Sequence, residues 1–78
     1  MTNRMNQDIN KARANRGAMT IAGYVARRGT RDDVQTTVSD LLADLLHYAD
    51  RYQHPLDLDE ALERARAHHQ AEREEAGV

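Results

Sequence analysis

The chain has 78 residues, a net charge of −2 and no cysteine, which bounds it to one small domain and excludes disulfides and thiolate zinc sites. No run approaches the roughly 20 apolar residues that span a bilayer, and the opening MTNRMNQDINKAR lacks the apolar stretch of a secretory signal, so the expectation is a cytoplasmic protein without a membrane partner. Large apolar side chains are scarce (seven Leu, two Ile, four Val, three Met, three Tyr, no Phe or Trp), and a chain this short buries only about 60% of its unfolded surface, so self-association is expected, with a homodimer favoured.

The small net charge hides a split. Residues 1–31 carry seven Lys or Arg against Asp8 alone, whereas residues 32–78 carry four Arg against twelve acids. Such a split suits a basic nucleic-acid arm, an acidic docking surface, or two halves that attract each other within or between chains.

All three segments read as helical, giving an all-α chain with 1–78 as a single domain and with 1–7 and 75–78 expected to be flexible. In the first segment Met5, Ile9 and Ala12 form one stripe, while Ala18, Ile21, Ala22 and Val25 form another. The two stripes do not line up across Gly17, which predicts one bent helix or two short ones; a strand at Met19–Val25 is the competing assignment.

The second segment, about 31–53, is the clearest. Gly29 suits the end of the preceding helix, and Thr30-Arg31-Asp32-Asp33 resembles an N-cap followed by first-turn acids. Val34, Val38, Leu41, Leu42, Leu45, Leu46, Tyr48, Ala49 and Tyr52 fall within an arc of roughly 160°, and Asp33, Thr37, Asp40, Asp44, His47 and Arg51 take the opposite, solvated face. Pro55 then forces a turn. Asp57 and Glu60 match a capping box for a third helix, about 58–74, with Leu56 placed to pack on Ala61 and with Leu58, Ala61, Leu62, Ala65 and His69 on one narrow stripe. A short connection and facing stripes predict an antiparallel helical hairpin, with Leu41, Leu45, Tyr48, Tyr52 and Leu62 as candidates for self-association.

Candidate chemistry is thin. Asp40, Asp44 and His47 share one stripe and offer hard or borderline ligands for a divalent cation, but three ligands on one straight helix spread over about 10 Å, so at most two adjacent members can share an ion. His69 faces the apolar side of its helix, and His47 and His69 do not converge in a hairpin pivoting at Pro55. With no Cys, one Ser, no HExxH and no phosphate-cradling glycine loop, no enzyme activity and no cofactor are expected. Arg27, Arg28 and Arg31, with Arg13 and Arg16, are the candidate contacts to a nucleic acid or another partner, although they scatter around a helical projection.

Two resemblances enter at the second helix. The run Asp40-Leu41-Leu42-Ala43-Asp44-Leu45-Leu46-His47-Tyr48-Ala49-Asp50-Arg51, continued by Ala61-Leu62-Glu63-Arg64-Ala65-Arg66-Ala67-His68-His69, resembles a group of short uncharacterised bacterial proteins of plasmids and prophages, over about residues 18–72. That likeness implies a helical accessory protein, and the expected function is a non-enzymatic interaction module that binds a macromolecular partner. Asp40 through Ala61 is also similar to the second half of MazG-like all-α nucleotide pyrophosphohydrolases. Asp40 then corresponds to a metal-binding Asp, Thr37 stands where that family has its companion Glu, and the helix bearing the other paired glutamates has no counterpart.

Overall fold

The computed structural model describes residues 3–77 and contains three helices, α1 (Arg4–Arg28), α2 (Val34–Tyr52) and α3 (Leu58–Glu75). The fold is all-α, as the periodicity predicts. Residues 1, 2 and 78 lie outside the described residues, so the expected looseness of the ends bears on them only by expectation. Residues 4–7 of that N-terminal stretch are helical, and Ala76 near the other end is buried.

α1 is a single helix of 25 residues, about 37 Å long. It runs through Gly17, where the sequence predicts either one bent helix or two short ones, and through Met19–Val25, where a strand is the competing assignment. A helical Gly costs only about 1 kcal/mol relative to Ala, and the flanking Ala12, Ala14, Ala18 and Ala22 are the best helix formers available. The misaligned stripes have a different cause: they serve two directions. Ile21, Val25 and Ala18 turn toward the start of α2, whereas Met5, Ile9 and Ala12 point away from both other helices. α1 ends at Gly29, whose φ of 75° is the left-handed cap conformation and whose N–H donates to Val25 O at 2.9 Å. Arg27 and Arg28 fall in its last turn, favourable to the helix dipole.

α2 starts three residues later than its predicted cap. Asp33, not Thr30, is the N-cap, and its carboxylate accepts the Thr36 N–H at 2.7 Å. That hydrogen bond is the first cause holding the Asp33 carboxyl below its ordinary pKa. The helix closes with Gln53 in the left-handed conformation at φ 55° and His54 N–H donating to Ala49 O at 3.1 Å, a Schellman closure ahead of Pro55. Asp57 then caps α3 by accepting the Glu60 N–H at 3.0 Å. Glu60 completes only half of the predicted box, because its carboxylate is bound to Arg64 at 2.6 Å instead of returning to the cap.

The hairpin of α2 and α3 is seated on α1: both arms pack against that helix and touch each other little. α2 meets the C-terminal half of α1, and the C-terminus of α3 meets its N-terminal half. The result is open. The radius of gyration is 15.2 Å, against about 11.5 Å for a compact domain of this length. Among the described residues, the buried hydrophobic side chains are Tyr24, Ala49 and Ala76, joined by Thr37.

Candidate functional site

The rotation of α2 is the main departure from the sequence reading. The helical projection puts Thr37, Asp40 and Asp44 on the solvated face, yet Thr37 is buried and both carboxylates turn toward α1. The reason lies in the partner. α1 presents Tyr24 and Arg28, one helical turn apart, to Asp44 and Asp40, also one turn apart. The Tyr24 hydroxyl donates to Asp44 Oδ2 at 2.6 Å, and Arg28 Nη1 pairs with Asp40 Oδ2 at 2.6 Å. Arg28 also donates to the Tyr24 oxygen at 3.4 Å and lies 5.7 Å from the centre of its ring. Burial first, and then the hydrogen bond to Asp44, push the Tyr24 phenol above its ordinary pKa. The hydrogen bonds to Tyr24 and then Asp40 hold the Arg28 guanidinium still more firmly protonated.

This arrangement occupies two residues of the proposed cation stripe. Asp40, which the MazG-like resemblance makes a metal ligand, is neutralised by Arg28, and His47 stands exposed beyond it. Among the described residues no three His, Asp or Glu side chains come together in a way that can hold a metal ion. His69 lines a groove against Asn10, Arg13 and Ala14 of α1, away from His47.

The basic candidates divide in two. Arg28 and Arg13 are engaged within the chain, Arg13 with Glu72 at 3.3 Å. Lys11, Arg16, Arg27 and Arg31 are exposed and have no acidic partner among the described residues. Arg16 and Arg27 share one face of α1, about 16 Å apart along its axis.

At the other end of α1, three amides reach the C-terminus of α3. Asn6 Nδ2 donates to Glu75 O at 3.1 Å, Gln7 Nε2 to Ala76 O at 3.2 Å and Asn10 Nδ2 to Glu72 O at 2.9 Å. Among the described residues the Glu75 and Ala76 carbonyls have no backbone partner, so Asn6 and Gln7 satisfy acceptors that water otherwise serves, whereas Glu72 O also accepts the Ala76 N–H at 3.2 Å. Sequence reasoning missed these amides and missed Tyr24. A usable signal existed for Tyr24: a Tyr–Arg pair at i,i+4 facing an Asp–Asp pair at the same spacing. The amides carry no periodic signal.

The apolar candidates for self-association are where expected along the chain but largely uncovered. Tyr48 is 50% exposed, Tyr52 62% and Leu45 40%, while Leu41 and Leu62 are half-buried. Tyr48 lies 5.4 Å from Tyr52 and stacks on His54 at 5.6 Å between ring centres, so the aromatic cluster reaches into the turn after α2. Ala61 and Ala65 of the narrow α3 stripe are exposed as well, because α3 leans on α1 instead of lying along α2. No helix among the described residues is long and apolar enough to cross a membrane. No protein-family profile, curated protein or solved structure matches the chain.

Proposed function

We infer that the chain is a non-enzymatic helical association module, working as assembled copies that present a charged surface to a macromolecular partner. One observation carries this reading. The isolated chain exposes 6769 Å², whereas a compact monomer of 8.9 kDa exposes about 4,800 Å². The excess of about 2,000 Å² includes Met5, Met19, Val34, Tyr48 and Tyr52, each at least half exposed. A stable interface buries about 800 Å² per partner, so one association can take up much of the excess. The likeness of the Asp40–Arg51 run to short plasmid and prophage proteins supports placing the chain among accessory proteins of mobile elements. Sedimentation equilibrium at micromolar concentration tests the reading: an oligomer is expected, and a monomer across that range refutes it.

A second reading is nucleic-acid binding through α1 and the segment after it, favoured by Arg16, Arg27 and Arg31, which have no acidic partner among the described residues. Salt-sensitive retardation of DNA or RNA is expected to be lost in the Arg16→Ala/Arg27→Ala/Arg31→Ala variant, with Arg28 left intact because it anchors α2. No retardation by the parent at low salt removes this reading.

A further inference from the structure

Two seams stand largely uncovered, with Val38, Leu41 and Gly23 half-buried in them, and they match. On α2, Val34, Val38, Leu41, Leu45, Tyr48 and Tyr52 follow one another at spacings of four, three, four, three and four. On α1, Met5, Ile9, Ala12, Arg16, Met19 and Gly23 follow the same spacings. Alternation of three and four keeps each set on one narrow side of its helix, the geometry by which two helices interlock side chains along their length. Both seams span 18 residue steps, about 27 Å. Within one chain they cannot meet, because α2 is held on α1 by its Asp40–Asp44 side, and that contact uses the Tyr24–Arg28 side of α1.

Charge selects between ways of covering them. α1 carries six cations against Asp8, α2 three Asp against Arg51, and α3 six carboxylates against three Arg. α1 is therefore the one basic helix. Arg28 pairs with Asp40 and Arg13 with Glu72, while among the described residues Lys11, Arg16 and Arg27 have no acidic partner and Asp50 on α2 has no basic one. Pairing two α2 seams brings like charges together and leaves the α1 seam bare. Pairing α2 with the α1 of another copy joins opposite charges and covers both seams at once.

We propose that the occupant of both seams is a second copy of this chain, docked about a two-fold axis so that the α1 seam of each copy lies along the α2 seam of the other. The pairing rests on the self-association inferred above and adds its geometry. Two-fold symmetry makes the contact reciprocal and closed, so assembly stops at the dimer.

The absence of native cysteine supplies a clean test. Ala12→Cys chains are mixed in denaturant with Leu41→Cys or Leu45→Cys chains, refolded together and oxidised, and the cross-linked species are distinguished by mass. The mixed α1–α2 product is expected to exceed either like-with-like product several-fold. A dimer in sedimentation whose main cross-link is Leu45→Cys to itself overturns this geometry while leaving self-association intact; a monomer overturns both. Arg16→Glu supplies a second readout that does not depend on cross-linking. The Arg16 side chain is exposed and has no ion-pair or hydrogen-bond partner among the described residues, and its reversal in the seam is expected to weaken dimerisation at least tenfold with helicity retained. An unchanged dissociation constant contradicts the proposal.

Discussion

Replacing Asn10 by Asp tests whether α3 is held to α1 through its carbonyl end. Asn10 Nδ2 donates to Glu72 O at 2.9 Å from a part-buried position. Asp has the same size and nearly the same helix propensity, so the backbone preference of α1 is untouched. The change turns a donor into an acceptor. The lost hydrogen bond is worth about 1 kcal/mol. A carboxylate then faces the negative end of the α3 dipole, which adds about 0.5–1 kcal/mol. Arg13 offsets part of this, because it already donates to Asn10 Oδ1 at 2.7 Å and gains about 0.3–0.5 kcal/mol once that oxygen is charged. The net loss is about 1–1.5 kcal/mol, out of a total stability of about 4–12 kcal/mol for a chain of this length. The melting temperature falls by about 4–12 °C. Circular dichroism at 222 nm measures it, with both proteins at one concentration because assembly makes the midpoint concentration-dependent. Asn10→Ala is the control: it loses the same hydrogen bond, but about 0.5 kcal/mol of better helix propensity compensates, so it should melt above Asn10→Asp. Melting of Asn10→Asp within 2 °C of the parent, or below it by less than Asn10→Ala, refutes the reasoning.

Three further outcomes follow from the caps and the Tyr24 contact. Asp57→Ala removes the acceptor of the Glu60 N–H and is expected to cost about 1 kcal/mol in urea unfolding, whereas Asp57→Asn should be close to neutral. Gln53→Gly should stabilise the protein by about 1 kcal/mol, because Gln53 sits at a positive φ that glycine adopts without strain; a loss of stability contradicts the described closure of α2. The folded-state pKa of Tyr24 is raised, so its proton is held more tightly in the folded chain, and that contribution to stability is complete below the ordinary value of 10.0 and is lost as pH rises through the higher folded value. The parent should therefore lose stability more steeply than Tyr24→Phe as pH rises above 10.0, and parallel stability profiles for the two proteins argue against the Tyr24–Asp44 contact.

What the sequence made legible was local. The N-cap at Asp57 and the stop at Gly29 are each written in a few adjacent residues with a single physical meaning, and the structure has both. The apolar stripe of α2 was equally plain, yet it told only that Leu45 and Tyr52 need cover, not which element provides it. The orientation of α2 was decided elsewhere, by the complementarity of Tyr24 and Arg28 with Asp44 and Asp40. Each of these residues also reads as an ordinary surface group when taken alone. Gly17 reads in the sequence as a bend in one helix or a boundary between two short ones; the structure has one continuous helix there, and its change of stripe reflects two separate faces. The association surface was readable as a list of residues, but the open shape that leaves it bare follows from the long-range seating of both arms on α1.

The seating of both arms on α1 also implies an order of folding. The Tyr24–Asp44 contact closes a loop of 20 residues, whereas the amide bonds to the end of α3 close loops of 62 to 69. Closing the longer loop from an unfolded chain costs about 1 kcal/mol more in chain entropy. α1 and α2 therefore come together first, and α3 arrives last, onto a scaffold already made. Its amide protons should be the first to exchange with solvent and its peptide bonds the first to be cut by a protease, with the other two helices still in place.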